Sequence, residues 1–424
     1  MHPSNIVLLT FHPERDELSP GKELRDGLSV ALRMGRTLWL ANDESVSLER
    51  LTLCDEDSSG NTSFTRDHKQ FALHDYLELP LPPYGEKPGE TPLDGPDGKP
   101  GSDPGNDMAD RSGVAPGDAG IGDSARGRIN EADIEGLACD GKYLWLVGSH
   151  SLRRKQPKAG DGVKKAHKRL ASVSADGNRY LLARIPVVEE NGLYSLAVQH
   201  MHKDKPRSAA LLRGDEHGNE LTALLKDDVH LGPFLAIPGK DNGFDIEGIA
   251  VAGKHLLLGL RGPVLRGWAI VIEVAPVEDD RPGRLRLGPL GDDGQRYRKH
   301  FLDLHGLGIR DLCLHGQDVL VLAGPTMDLD GPVTVFRWRG GARLGTKDAD
   351  KECVVAADQL ERVLDLPFGQ GVDHPEGITL FSSAGGGDEA LLVVHDSAAP
   401  SRQIGESILL ADVYPLPQRR KQDK

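Results

Sequence analysis

The chain has 424 residues, 38% hydrophobic and 5% aromatic, and its 51 Lys plus Arg against 65 Asp plus Glu leave a formal net charge of −14. No apolar run approaches the roughly twenty residues a membrane-spanning helix needs, and the apolar fraction is large enough for a sizeable core, which excludes global disorder. The acidic balance argues against a general nucleic-acid binder.

In chain order, Asn5-Ile6-Val7-Leu8-Leu9-Thr10-Phe11 is a strand with no repeat of its own. The start of the chain lacks a basic segment and its apolar run is too short for a signal peptide, so a cytoplasmic protein is expected. Five segments then share one pattern: a short apolar strand, a Gly or polar turn, a second apolar strand, then small or polar residues. They begin at Gly27 (GLSVALRMGRTLWLANDES), Asp133 (DIEGLACDGKYLWLVGSHS), Asp245 (DIEGIAVAGKHLLLGLRGP), Gly308 (GIRDLCLHGQDVLVLAGPT) and His374 (HPEGITLFSSAGGGDEALLVVHDS). Gly35, Gly141, Gly253 and Gly316 fall where a tight hairpin needs positive φ.

One or two further strands follow each copy, among them Trp268 to Val274, Val333 to Trp338 and Ser407 to Tyr414. A strand also precedes three copies, at Phe234 to Ile237, Phe301 to Leu304 and Val363 to Leu366. Four antiparallel strands per unit predict an all-β chain and a single β-propeller domain over residues 1–424. Five blades are favoured, or six if the long interval between the second and third copies holds another. The N-terminal strand is expected to complete the last blade and remove its open edge.

Two insertions interrupt the pattern. Residues 83–128, rich in Gly, Pro and Asp, read as a disordered loop. Residues 199–232 read as partly helical, with short helices between Ala210 and Leu225. The basic run from Arg153 to Arg169 reads as a solvated loop without a partner, the alternatives being that it meets the acidic loop between Glu86 and Asp123 or a polyanion. None of the four cysteines forms a C-x-x-C pair, and Cys139 and Cys313 lie in apolar runs that predict core positions. The sequon at Asn61 marks a polar loop.

In a propeller, the strand after each connection lines the central channel. Alignment on the shared glycines puts Ser29, Glu135, Glu247, Arg310 and Glu376 at one level. The ends of the second strands add Asn42, Asp43, Ser149, His150, Arg261, Gly324, His395 and Asp396. Crowded carboxylates repel, so they need a cation or shared protons. Oxygen donors without thiolates suit calcium, with magnesium as the alternative. The expected metal ligands are therefore Glu135, Glu247, Glu376, Asp43 and Asp396. Arg153, Arg261 and Arg310, with His150 and His395, are the expected substrate contacts, because guanidinium binds phosphate and carboxylate bidentately. A plainer alternative has each acidic residue capping its own turn and each Arg paired with a ring Glu; Asp133 and Asp245 read as turn formers. There is no G-x-S-x-G elbow, P-loop or G-x-G-x-x-G.

The D-x-E-G-[I/L] signature at Asp133 and Asp245, with V-V-H-D-S at Val393 to Ser397, resembles an uncharacterised bacterial family of domain-of-unknown-function proteins read as propellers. It is similar, more distantly, to the phytase-like esterase and SdiA-regulated propellers. The resemblance covers most of the chain outside the two insertions and implies a propeller with calcium on Glu135, Glu247 and Glu376. Ser29 and Arg310 depart from the pattern. The expected function is a divalent-metal-dependent hydrolase of a small anionic ester, a phosphoester or lactone, at the propeller mouth. The alternative is a non-catalytic binding or scaffold protein with a protein partner.

Overall fold

The computed structural model of the chain describes residues 3–19, 22–54, 62–81, 131–343, 352–382 and 389–417. Each of the five repeat copies forms a hairpin, and each hairpin starts an antiparallel group of strands. The first group runs Leu28–Met34, Thr37–Asn42, Ser47–Cys54 and Thr62–Ala72. The second runs Ile134–Cys139, Tyr143–Gly148, Leu182–Glu190 and Ala210–Leu212. Asp245–Ala252, His255–Gly262, Trp268–Glu278 and Tyr297–Asp303 make the third. Gly308–His315, Asp318–Gly324, Val333–Trp338 and Leu360–Leu366 make the fourth. In the fifth, His374–Phe381, Ala390–Asp396 and Ile408–Pro415 are completed by the N-terminal strand Asn5–Thr10, antiparallel to Ile408–Pro415.

The described chain is thus all-β, with few and short helices. Asn5–Thr10 also pairs in parallel with Thr62–Phe64, joining the outer edges of the fifth and first groups into one sheet. The two end strands of that sheet, Leu28–Met34 and His374–Phe381, lie against each other, so it is nearly closed. First strands touch in cyclic order from the first group to the fifth and back to the first. The apolar core fills the wedges between groups: Ile249, Leu258 and Ile270 of the third meet Trp145, Val147 and Leu182 of the second.

A repeated irregularity explains the repeat motif. Every first strand carries a bulge against its hairpin partner, and the extra residue is Ser29, Glu135, Glu247, Arg310 or Glu376 in turn. A bulge leaves one residue outside the ladder and re-aims its side chain. The glycine after each Glu allows close approach of the neighbouring group. A Cβ on Gly136 would lie 2.8 Å from Ile249 Cγ2, and one on Gly377 2.8 Å from Val30 Cα. The hairpin glycines Gly35, Gly141, Gly253 and Gly316 all have positive φ, as expected.

Several local expectations are corrected. Ala210–Leu212 is not helical but a buried strand, pairing with Ala183 and Arg184 on one side and Arg284 and Leu285 on the other. A short apolar run cannot distinguish helix from strand by periodicity. Only Glu220–Leu225 in that insertion is α-helical, capped by Asn219, whose side chain accepts from Leu221 N and Thr222 N. The strand expected at Phe234 to Ile237 is replaced by a 3-10 turn at Gly232–Phe234, because Ala210–Leu212 already holds the outer position. The basic run contains the helix Val163–Leu170, with no buried residue, where Lys165 and Arg169 pair with Asp161 at 3.0 and 2.9 Å. Cys139 and Cys313 are half-buried, their thiols pushed up by burial to about 11 and about 12. The expected disordered loop at 83–128 and the sequon at Asn61 lie outside the described residues.

Candidate functional site

The five bulge residues follow the cyclic order of their strands. Arg310 therefore stands between Glu247 and Glu376, and its Nη1 lies 2.5 Å from Glu376 Oε1 and 3.4 Å from Glu247 Oε2. Arg261, at the end of its own hairpin, donates from Nη1 to Glu247 Oε1 at 2.6 Å. Both guanidiniums are anchored further by the loop after Gly324: Arg261 donates from Nε to Thr326 O at 2.9 Å, and Arg310 from Nη2 to Pro325 O at 3.1 Å. Ser29 turns aside, its hydroxyl donating to Ile134 O at 2.7 Å.

Glu135 stands on the side of the ring away from Arg310. Among the described residues no group donates a hydrogen bond to Glu135 or to Asp43, whereas Glu247 and Glu376 accept from arginines. Among the described residues no backbone N–H donates to any of the three ring glutamates. Burial, then the charges of Asp133, Glu247, Asp43 and Glu376, push the Glu135 carboxyl well above its ordinary range. Burial followed by Asp133, Asp396 and Glu376 does the same for Asp43. Glu376 is raised to about 7: burial, Asp396 and Glu247 outweigh Arg310 and Arg261.

A cavity of about 220 Å³ opens here, lined by Lys240, Arg261, Arg310, Glu376, Asp396 and His374 among others. Lys240 pairs with no group among the described residues. Against burial and the Arg261 charge, Asp328, Glu376 and Asp43 raise its ammonium pKa. The cavity lining is therefore mixed in charge, with Lys240, Arg261 and Arg310 beside Asp328, Asp330, Glu376 and Asp396.

Donors for a metal are all hard oxygens. Gly27 leaves space between the first and fifth groups: a Cβ there would lie 2.9 Å from Asn42 Nδ2, whose amide donates to Leu24 O, 3.3 Å from Asp396 Oδ1 and 3.5 Å from Asp43 Oδ1. Those two carboxylates, from opposite ends of the nearly closed sheet, face one spot. Among the described residues no three His, Cys, Asp or Glu side chains close into a ligand set. Two carboxylates with the remaining positions left to water and ligand oxygens fit magnesium better than a calcium cage of six to eight oxygens.

Other expected residues sit elsewhere. Arg153 is exposed and pairs with Glu131 at 2.8 Å. His150 and His395 are buried and do not line the cavity. His150 contacts Gly148 O at 2.8 Å and Asn219 Nδ2 at 2.7 Å, and burial lowers it to about 4. His395 lies 3.3 Å from Arg402, and burial with that charge lowers it to about 4. Asp133 is more than a turn residue, pairing with Arg179 at 2.8 Å. Asp245 is buried and raised to about 8 by burial and then Glu247, against Arg261. Sequence reading missed Lys240 and Arg179, which lie in connections outside the repeat. Only the position of Lys240 just before the third D-I-E-G hinted at its place.

Among the described residues no helix is long and apolar enough to cross a membrane. No curated protein matches the chain. It is similar to a solved structure of a Saccharomyces cerevisiae Dbp5 variant bound to Nup159, a Gle1 variant, IP6 and ADP, at 6% identity over 92% of this chain and 76% of that one. The TM-score is 0.25, a likeness too loose to bear on fold or function. The model of a family described as protein of unknown function (DUF3616) matches residues 27–99 and 123–412. That match takes in the repeat hairpins of all five groups, and the chain belongs to the DUF3616 family of proteins of unknown function.

Proposed function

We propose that the chain is a five-bladed β-propeller whose mouth binds and hydrolyses a small anionic ester, most simply a phosphoester, with a divalent cation beside it. One observation carries this reading: a single cavity is lined both by the cations Lys240, Arg261 and Arg310 and by the carboxylates Asp328, Asp330, Glu376 and Asp396. Lys240 and the guanidinium edges would hold the anionic oxygens and stabilise charge developing on them. Asp43 and Asp396 would hold magnesium or calcium, with Glu135 and Glu376 within Coulombic reach. When bound, the cation supplies Lewis-acid polarisation of an ester oxygen. Glu376, near neutrality and lining the cavity, suits proton transfer at its carboxylate to or from the attacking water. The distant resemblance to phytase-like esterase propellers points the same way.

A second reading, a binding propeller without turnover, is favoured by a different observation. Arg261 and Arg310 are already spent on Glu247, Glu376 and backbone carbonyls, so among the described lining residues Lys240 is the ammonium or guanidinium left for a ligand. Turnover of a panel of phosphomonoesters, phosphodiesters and lactones with magnesium or calcium separates the two. Hydrolysis abolished by Glu376→Gln and weakened by Lys240→Met supports the enzyme. Binding of inorganic phosphate to the magnesium-loaded protein, with no turnover of any ester, supports the binding protein.

A further inference from the structure

A second cluster, sharing no residue with the cavity lining, lies on the outer strands of the third group. Glu273, 0% exposed, accepts from three side chains at once: His255 Nδ1 at 2.6 Å, His300 Nε2 at 2.9 Å and Arg298 Nη1 at 3.1 Å. The same device occurs in the first group, where buried Glu49 contacts His68 Nε2 at 2.8 Å. There the imidazole is completed by a backbone group, His12 N donating to His68 Nδ1 at 3.0 Å. An Nδ1 that accepts leaves the proton on Nε2, pointing at the carboxylate. His300 differs at this point. It is 4% exposed, its Nδ1 closes no hydrogen bond of ordinary geometry, and its partner in the parallel register is Cys353. The thiol is within interacting reach of the imidazole.

We propose that Cys353, His300 and Glu273 form a thiol–imidazole–carboxylate relay, and that Cys353 is an activated thiol that reacts with small peroxides. Glu273 holds the His300 proton on Nε2, so Nδ1 presents a lone pair to the thiol. Transfer of the Cys353 proton to Nδ1 gives a thiolate beside an imidazolium, stabilised by the buried carboxylate. The thiolate attacks one peroxide oxygen and the O–O bond breaks. For hydrogen peroxide, the leaving hydroxide takes the imidazolium proton and departs as water. Sulfur is oxidised to sulfenic acid, and the peroxide is reduced.

Electrostatics around the relay agree with this direction. Burial pushes the Glu273 carboxyl up, but hydrogen bonds from His255 and His300, with the charges of His300 and Arg298, leave it at about 2. Burial opposes a charged His300, yet contact with Cys353 and Glu273 raises its pKa overall. Access is available at Cys353, which is itself only half-buried, on the short strand Glu352–Val354. The Trp338 ring packs against the imidazole, 5.2 Å from the His300 ring.

The test is alkylation of the full chain by iodoacetamide between pH 5.5 and 9.5, read peptide by peptide by mass spectrometry. Cys139 and Cys313, with thiols raised by burial, serve as slow internal references. Cys353 should titrate with a midpoint below pH 8, under the roughly 8.5 of an unperturbed thiol. His300→Gln should return the midpoint to about 8.5 and slow labelling at pH 6.5 at least about threefold, the change in thiolate fraction expected for a shift of about half a unit or more. Hydrogen peroxide followed by dimedone should mark Cys353 and leave Cys139 and Cys313 unmarked. A wild-type midpoint at 8 or above overturns the relay even if the variant does not fold, as does an unchanged profile in folded His300→Gln. Dimedone addition absent from Cys353 overturns the peroxide chemistry.

Discussion

Glu376 gathers the conflict of the mouth into one side chain: it is paired with Arg310, pressed by Asp396 and Glu247, and near neutral in pKa. With Asp245 at about 8, it holds a proton in the folded state at pH values where the unfolded chain has released it. A carboxyl raised in this way stabilises the fold below its unfolded pKa, and that contribution is lost as pH rises through the folded value. In EDTA the melting temperature should therefore fall from pH 5 to pH 8, and Glu376→Gln, which cannot ionise, should flatten part of the slope. Calorimetry over that range checks it; a flat or rising wild-type curve would contradict the crowding of carboxyls. Gly377 poses a separate question of space. An alanine Cβ there would lie 2.7 Å from Val394 Cγ2 and 2.9 Å from Ala31 N, the latter backbone of the neighbouring group. Gly377→Ala should cost about 1–3 kcal/mol by overpacking, measured by urea unfolding.

At the level of the strand, the five bulges turn a repeat into a site. Each takes one residue out of the hairpin ladder at the same place, which is why Ser29, Glu135, Glu247, Arg310 and Glu376 meet although up to 347 positions separate them. The N-terminal strand does different work. Val7 and Leu9 are fully buried, and the strand pairs with Ile408–Pro415 on one edge and Thr62–Phe64 on the other. Removing residues 1–12 uncovers two edges at once, and unpaired edges template association. The truncated chain should melt earlier and form oligomers on size exclusion. A monomer with an unchanged melting temperature would show that neither edge depends on the strand.

Across the whole molecule, the order of the groups decides where charge resides. Only the fourth copy carries Arg at the ring position, and only the third ends its hairpin in Arg, so the cations cluster on one side. The carboxylates of Asp43, Glu135 and Asp396 are left opposite with no arginine partner among the described residues. A cation and an anion bound across such a mouth lower each other's electrostatic cost, and the coupling is reciprocal. Magnesium and inorganic phosphate together should raise the melting temperature by more than the sum of their separate shifts. Asp43→Asn should remove the excess while leaving the small shift due to phosphate alone. Strictly additive shifts would mean that the two halves of the mouth do not share a ligand.

The five hairpins, their order and the spare N-terminal strand were legible because they depend on local chemistry: apolar alternation, a glycine with positive φ, and a repeat long enough to align. The ring was legible for the same reason, since equivalent residues in repeats occupy equivalent places. Pairing within the ring was decided by the tertiary structure, because which Glu receives an arginine depends on which groups are neighbours around the closure. Lys240, which lines the cavity, and Arg179, which pairs with Asp133, come from connections outside the repeat, where no periodicity marks them. Ala210–Leu212 was misread because three apolar residues have no period, and only their partners across the sheet make them a strand. Cys353 and His300 stand 53 positions apart in unrelated segments, and a parallel register alone sets thiol beside imidazole. Local pattern thus determined the elements. The cyclic closure of those elements determined which charges face each other, because electrostatic contact depends on distance in space and the chain specifies that distance only once it has folded.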